Sequence, residues 1–216
     1  MAILAGFSIS DPPELWADLG FSVEAGACRV GGLRFALGGA GDGITDWTLA
    51  AAEVPNGIEG IDGIEGIDGL PTLVIDDPAP NGSAPEHPNA VVSLDHVVVM
   101  TPDLERTVAA LGRVGIFERR RRDAGRPGQP PTTQVFFRLG EAILELVGSP
   151  ETAREGPARF WGLAFTVSDL DRTASALGNR LRDVKEAVQP GRRIASLDHA
   201  AGSAIPIAFM TAGQGR

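Results

Sequence analysis

A tandem repeat constrains the fold of this chain more than any other feature. The stretches SLDHVVVMTPDLERTVAALG and RFWGLAFTVSDLDRTASALG align without a gap and share the frame D-L-[ED]-R-T-x-x-A-L-G. Each copy begins with a short apolar run typical of a buried strand. An acidic N-cap and an amphipathic helix follow. The first copy has His96 where the second has Gly162, so the chain repeats one structural unit, and only the first copy has an imidazole at this position.

Three strand-like runs follow each helix, separated by turn-forming residues. In the first copy they are GIFERRRR, TTQVFFRL and AILELVG, and in the second they are DVKEAVQ, RIASLDHA and AIPIAFMT. Both copies are therefore predicted to be β-α-β-β-β units. Gly112 and Gly178 lie where a left-handed residue would end each helix.

A third, degenerate copy is predicted at the N-terminus. Asp11, Leu19 and Gly20 match the Asp, Leu and Gly of the repeated frame, with Pro12 at the first helical position. The run RVGGLRFAL aligns with RLGEAILEL of the middle copy. The segment 43–51 is a further strand candidate, which we interpret as the remnant of a fourth copy.

Two low-complexity segments separate the copies. The hexad GIEGID occurs in tandem over residues 57–68, and its carboxylates do not follow the pattern of a calcium loop. We expect a local duplication in a tolerant surface loop. The Pro-rich stretch DDPAPNGSAPEHPN is predicted to be a linker with His87 solvated. The predicted domains are a degenerate acidic unit at 1–75, a linker at 76–90 and a two-unit domain at 91–216.

Charge and cysteine content limit the partners of the chain. The formal net charge of −9 disfavours nucleic acids and anionic membranes. Residues 1–90 carry only two basic residues, so the cations concentrate in 91–216, either to host an anionic small ligand or to dock against the acidic half. The single cysteine excludes an intrachain disulfide. With no apparent signal peptide or membrane helix, we expect a cytoplasmic location.

Paired β-α-β-β-β units with an H-x6-D-L frame and an L-E-L closing strand resemble the vicinal oxygen chelate superfamily. This is the group of glyoxalases, bleomycin-resistance proteins and extradiol dioxygenases. The resemblance implies an α+β fold in which two units curl into an open barrel around a cleft. It also implies a divalent metal, held by a residue of each unit's first strand, usually His, and by a carboxylate of each last strand.

Carried over to this chain, the metal-binding pattern is half complete. The middle unit supplies His96 and Glu145, whereas the final unit has Gly162 and Ile207 at the same positions. In the N-terminal copy the positions fall on Leu4 and Ala36. Either His96 and Glu145 simply pair with each other, or His199 or a second chain completes a site for Mn, Zn, Fe or Ni. No cofactor is firmly predicted.

Other residues are candidates for the wall of the predicted cleft. The aromatic ones suit a core equally well, His199 is expected on the third strand of its unit, and the arginines suit an exposed edge as well as an anion site. These candidates are Phe137, Arg138, Trp161, Arg193, His199 and Phe209.

Three functional hypotheses follow. The first is a protein that binds a small, anionic or neutral organic molecule in a barrel cleft, without a complete metal site. The second is a metal-dependent enzyme of the glyoxalase, isomerase or dioxygenase type with His96 and Glu145 as ligands. The third is an interaction module whose N-terminal unit closes the barrel or forms a homodimer. The sequence identifies no catalytic residue.

Overall fold

The computed structural model describes residues 3–50, 59–61, 64–76, 85–125 and 127–213, which form sixteen strands and three α-helices. The strands are β1 (Ile3–Ile9), β2 (Val23–Glu24), β3 (Ala27–Val30), β4 (Leu33–Leu37), β5 (Ile44–Ala50), β6 (Glu59–Ile61), β7 (Ile64–Ile67), β8 (Leu70–Ile75), β9 (Val91–Met100), β10 (Glu118–Asp123), β11 (Thr133–Leu139), β12 (Ala142–Gly148), β13 (Arg159–Val167), β14 (Lys185–Glu186), β15 (Arg193–Ser196) and β16 (Ile207–Thr211). The helices are α1 (Pro13–Asp18), α2 (Leu104–Arg113) and α3 (Leu170–Leu177). Within these residues, no helix is long and apolar enough to cross a membrane.

The strands form two sheets of eight with the same topology. The orders are β2-β3-β4-β1-β5-β8-β7-β6 and β10-β11-β12-β9-β13-β16-β15-β14. In the second sheet β12 pairs in parallel with β9, and β16 pairs in parallel with β13. Both predicted β-α-β-β-β units are therefore confirmed, together with the α+β class.

The fourth copy inferred from residues 43–51 is also confirmed. Strand β5 pairs in parallel with β8, as β13 does with β16, and β6 and β7 complete an antiparallel set beside β8. Residues 51–58, between β5 and β6, lie outside the described residues. The described hexad residues 59–61 and 64–67 form β6 and β7, so the prediction of a loop was wrong. Isoleucine recurs every third residue in the hexads, which does not match the two-residue period of a strand, so periodicity alone does not predict these strands.

Helices α2 and α3 begin at the N-caps that the sequence predicted, but only α3 ends at the predicted glycine. The carboxylates of Asp103 and Asp169 accept hydrogen bonds from the backbone N–H groups of Arg106 and Arg172, as predicted for N-caps. Gly178 ends α3 with a positive φ of 54°. The prediction for Gly112 was wrong, because α2 continues through it.

The described residues group into two compact units, which we call unit one and unit two. Unit one comprises 1–6, 46–78 and 96–161, and unit two comprises 7–45, 79–95 and 162–216. Each unit therefore draws on both sides of the predicted 76–90 linker, although β1–β8 and β9–β16 belong to separate sheets. The division into domains at 1–75 and 91–216 stays a prediction.

Each unit has its own apolar core. In unit one the Trp47 indole donates to the Thr72 hydroxyl at 2.7 Å, and its ring lies 5.5 Å from that of Phe160. Unit two contains a cluster of aromatic rings, centred on Phe165, whose centroids are 4.7 to 6.3 Å apart. Its members are Trp16, Phe21, Phe35, Phe165 and Phe209.

His87 is a buried structural residue, so the prediction of a solvated linker histidine was wrong. Its Nδ1 accepts a hydrogen bond from the Ser22 backbone N–H at 3.0 Å, and its Nε2 lies 2.9 Å from the Arg29 carbonyl oxygen. These two contacts require the neutral ring with its proton on Nε2. Desolvation by burial lowers the pKa of His87 despite the opposing effect of the carbonyl.

Asp68 anchors the turn between β7 and β8 to α2 within unit one. Its carboxylate accepts from Arg106 Nε at 2.6 Å and from the buried Thr107 hydroxyl. We expect Asp68→Gly, which tolerates the positive φ of 51° at this position, to lower the free energy of unfolding by about 1–3 kcal/mol. Urea denaturation measures this effect. In the matched control, Asp171→Ala removes an exposed Asp–Arg pair and should change stability little; equal losses in both variants would contradict the assignment.

We also expect His87 to make stability depend on pH. The unfolded chain protonates its histidine below about pH 6.5, before the folded protein does. The contribution of neutral His87 is therefore complete above that pH and is lost as pH falls from there toward the lowered folded pKa. Melting temperatures recorded from about pH 7.5 to about pH 5 should fall less in His87→Gln than in the wild type. The exposed His199, changed to Gln, serves as the control and should follow the wild type; a His87→Gln curve parallel to the wild type would refute the expectation.

Candidate functional site

Strands β9–β12 of unit one present one mainly polar surface, which we call the polar face. The pairing registers place His96 opposite Ile143, Val98 opposite Glu145, and Glu145 opposite Phe136. Because directly paired residues point to the same side of a sheet, the face can be read from the register. Its members are His96, Val98, Met100, Arg120, Arg122, Gln134, Phe136, Arg138, Ile143, Glu145 and Val147.

The opposite side of these strands is the hydrophobic core of unit one. Val97, Val135 and Leu144 alternate with the residues of the polar face and are fully buried. Arg121 is paired opposite Val135 and binds Glu105 of α2, so the helix lies on this side. The polar face is therefore the side of the sheet that α2 does not cover.

His96 and Glu145 come together as the sequence predicted. Their strands are neighbours, and His96 Nε2 lies 3.8 Å from Glu145 Oε2. Their side chains are only 15% and 13% exposed. The distance fits an ion pair when the imidazole is protonated, but it is too long for the hydrogen bond that we expected.

Glu145 belongs to a longer polar chain across three strands. The Gln134 side-chain amide donates to Glu145 Oε1, and its own oxygen accepts from Arg122 Nε at 2.9 Å. The Arg122 guanidinium also lies 5.5 Å from the centre of the Phe136 ring. Gln134 thus links an arginine to a glutamate through opposite ends of one amide.

Sequence patterns did not identify Gln134, and they placed Arg122 only within the strand-like run GIFERRRR. The alternation of TQVFFRL does place Gln134, Phe136 and Arg138 on one side of a strand. The registers with β10 and β12 were needed to show that this side is also that of Arg122 and Glu145.

The final copy of the repeat has no room for an imidazole at Gly162. A Cβ atom placed there would lie 2.5 Å from the Pro206 carbonyl oxygen, which accepts a hydrogen bond from the Leu163 N–H at 3.0 Å. A backbone oxygen held by a strand hydrogen bond cannot move aside cheaply. The sequence alignment placed the last-strand ligand position of this copy at Ile207, but the register places it at Ala208, because Ala164 pairs with Ala208 as Val98 pairs with Glu145. Ile207 points to the opposite side of β16, where it is 2% exposed in the core of unit two.

The residues at the family's ligand positions do not fit a four-ligand metal site. One nitrogen and one carboxylate come from the middle copy, and the final copy contributes no donor side chain. Across the described parts of the chain, no three His, Cys, Asp or Glu side chains converge as a metal cluster would require. Two protein ligands hold a labile divalent ion weakly.

The other candidate residues are dispersed. Phe137 and Phe209 are 1% and 0% exposed and lie in the cores of units one and two, respectively. Trp161 is 52% exposed, and Arg138 lies at the edge of the polar face with its Nε donating to the Gly140 carbonyl at 2.5 Å.

Two further candidates, Arg193 and His199, lie in unit two. Arg193 forms two 3.0 Å hydrogen bonds to the carboxylate of Asp171 on α3. His199 lies in a short 3-10 helix at His199–Ala201, after the third strand rather than on it, so that expectation was wrong.

Cys28 does not provide a nucleophile. It is fully buried, and desolvation raises the pKa of its thiol to about 12. A thiol in this environment is uncharged at neutral pH and therefore unreactive.

Comparison with known proteins identifies the fold. Neither protein-family profiles nor curated proteins match the sequence. Among solved structures, a triple mutant of 4-hydroxymandelate synthase from Streptomyces coelicolor aligns with 99% of this chain and 93% of its own, with a TM-score of 0.66 and 13% identity. Methylmalonyl-CoA epimerase from Mycobacterium tuberculosis aligns with 57% of this chain and 90% of its own, with a TM-score of 0.45 and 18% identity.

Both of these proteins are members of the vicinal oxygen chelate superfamily. The similarity to the synthase extends over nearly the whole chain, so it includes the N-terminal copies that the sequence resemblance covered only weakly. The chain therefore has the vicinal oxygen chelate fold, with its described strands in two eight-stranded sheets of the same topology.

The close approach at Gly162 predicts a specific cost of substitution. We expect Gly162→Ala to lower the free energy of unfolding by about 1–3 kcal/mol, because the methyl group overlaps a backbone oxygen. The matched control is Gly112→Ala in α2, where an added Cβ meets no atom within 4 Å. Since alanine favours a helix, that variant should be as stable as the wild type or more so. Chemical denaturation of both distinguishes them, and a neutral Gly162→Ala would show that the strand yields.

Proposed function

We propose that this protein binds a small organic molecule on the polar face and lacks a complete metal site. The observation that carries the proposal is the contact between Gly162 and the Pro206 carbonyl. In the final copy, the Pro206 carbonyl fills the space that a side chain at the ligand position would need. This copy therefore differs from the middle copy in its backbone packing as well as in the lost histidine. Ala208, which the register places at the last-strand ligand position of the same copy, also supports the proposal because its side chain has no donor atom for a metal.

The chemistry of the polar face supports ligand binding. It combines an apolar area at Val98, Ile143 and Val147 with polar groups that are hydrogen-bonded to one another. Small-molecule sites typically pair apolar walls with a few fixed polar groups. The Arg122–Gln134–Glu145 chain orients these groups in advance, which lowers the cost of ordering them when a ligand binds.

A metal-dependent enzyme of the glyoxalase or dioxygenase type is the second candidate. The 3.8 Å separation of His96 Nε2 and Glu145 Oε2 favours it, since both lie at family ligand positions of the same module. In that case His96 and Glu145 would hold the ion, and the ion would supply Lewis-acid chemistry. Completion of the site would need donors from another chain or from the substrate, and the homodimer suggested by the sequence would then be required.

Titration with metal ions separates the two candidates. We expect Mn²⁺, Zn²⁺, Fe²⁺ and Ni²⁺ each to change the melting temperature by no more than about a degree, and elemental analysis of protein purified without chelator to find no stoichiometric metal. An ion at about a hundred times its dissociation constant would stabilise the fold by about 2.7 kcal/mol. That corresponds to several degrees.

The contradicting outcome is equally specific. A shift of several degrees with one ion, absent from both His96→Ala and Glu145→Ala, would support the enzyme and overturn the proposed binding protein. His199→Ala is the matched control for loss of an imidazole, because His199 lies in unit two on an exposed 3-10 helix. A shift lost equally in His199→Ala would indicate nonspecific metal binding and leave the proposal standing.

A further inference from the structure

The apolar and the charged residues of the polar face lie on different strands. The inner strands β9 and β12 supply Val98, Ile143 and Val147, whereas the outer strands β11 and β10 supply Arg138, Arg120 and Arg122. Adjacent strands are about 4.8 Å apart. The apolar area and the arginines are therefore separated by about one to three strand spacings, or roughly 5–14 Å.

The charges on this face do not balance. Three guanidinium groups share it with one carboxylate, Glu145. That carboxylate already receives a hydrogen bond from Gln134 and lies beside His96. The outer strands therefore carry a net positive charge that no residue of the face neutralises.

The three arginines differ in how far they are already engaged. Arg122 donates two N–H groups to the Gln134 oxygen and stacks on Phe136. Arg138 uses its Nε on the Gly140 carbonyl. Arg120 is exposed, and none of the described residues pairs with its side chain. One complete guanidinium fork thus remains available on the polar face.

On this basis, and resting on the proposed function, we propose that the ligand is a small amphipathic monocarboxylate. Its carboxylate binds Arg120 through two parallel hydrogen bonds, and its apolar body extends over Phe136 toward Val147, the diagonal neighbour of Phe136 on β12, beside Glu145 rather than across it. A planar guanidinium matches a planar carboxylate in this geometry. A single free fork fits one such group, and a phosphate dianion would find its other cations already engaged.

The apolar residues on the inner strands specify the rest of the ligand. Val98 is 9% exposed, and Ile143 and Val147 are half-buried. Ile143 and Val147 flank Glu145 along β12, so an apolar group of a few carbon atoms would gain free energy by covering Phe136 and Val147 beside that carboxylate, at about 25 cal/mol per Å². A neutral analogue of the same body keeps this contribution and loses the ion pair, so the two parts of the ligand can be measured separately.

The experiment compares carboxylates with matched alcohols on the full chain. The probes are 4-phenylbutyrate with 4-phenylbutanol, and octanoate with octanol, with binding followed by calorimetry and by NMR shifts of the polar-face amides. We expect at least one carboxylate to bind about tenfold more tightly than its alcohol. Arg120→Ala should abolish that preference, and Arg120→Lys should restore part of it. Rising salt concentration should weaken carboxylate binding.

The matched control is Arg113→Ala, which removes the same charge from an exposed position on α2, on the other side of the sheet. It should bind as the wild type does. Equal weakening in Arg113→Ala and Arg120→Ala would indicate a long-range charge effect and overturn the inference. Melting temperatures of all variants verify that they fold.

Failure of this inference and failure of the proposed function have different signatures. If alcohols bind as tightly as carboxylates and shift the polar-face amides, the ligand class is wrong and the binding function stands. If no probe shifts those amides at millimolar concentration, the ligand class is wrong. If a diverse library of small molecules also leaves them unshifted, the proposed function fails as well.

Discussion

Parallel pairing of the first strand of a module with its last strand is the constraint on which the architecture depends. It occurs between β9 and β12, between β13 and β16, and between β5 and β8. Parallel neighbours cannot be joined by a tight turn, so the chain between them must cross over and return. In the modules β9–β12 and β13–β16, a helix and two intervening strands provide that return. The pairing also places residues of the first and last strands side by side, so His96 and Glu145 meet although 48 residues separate them in the sequence.

The same pairing explains why two copies of one unit differ chemically. In the middle copy, His96 and Glu145 lie on the side away from the core and remain partly exposed. In the final copy, the chain entering β16 brings the Pro206 carbonyl against Gly162, and Leu163 donates a hydrogen bond to that oxygen. A side chain at this position would break a strand hydrogen bond. The glycine is thus part of the packing of unit two, and the asymmetry of the repeat is built into the backbone as well as into the choice of side chains.

The sequence predicted the elements of this fold better than their arrangement. The repeated frame correctly located the N-caps Asp103 and Asp169, because a cap depends on residues within one turn of the chain. The predictions for the GIEGID hexads were wrong because those strands depend on pairing with β8. The prediction for His87 was wrong because its hydrogen-bond partners lie 58 and 65 residues away in the sequence. The residues of the candidate site also differ in whether the sequence could predict them. His96 and Glu145 follow from a family pattern, whereas Gln134 follows only from the register of β11 against β10 and β12.

Gln134 links Arg122 on the outer strands of the polar face to Glu145 on the inner strands, and these hydrogen bonds limit the other groups that each residue can bind. Its amide accepts from Arg122 and donates to Glu145 Oε1, whereas the oxygen that lies 3.8 Å from His96 Nε2 is Oε2, so Oε1 is the oxygen that Gln134 satisfies. Metal binding by Glu145 through that oxygen would release the Gln134 N–H group, and an unsatisfied buried donor costs about 1–3 kcal/mol. The same bond also leaves Arg122 oriented toward Phe136 instead of toward Glu145. The hydrogen-bond chain therefore disfavours metal binding through Oε1, and it places an amide between the Arg122 guanidinium of the outer strands and the one carboxylate of the polar face.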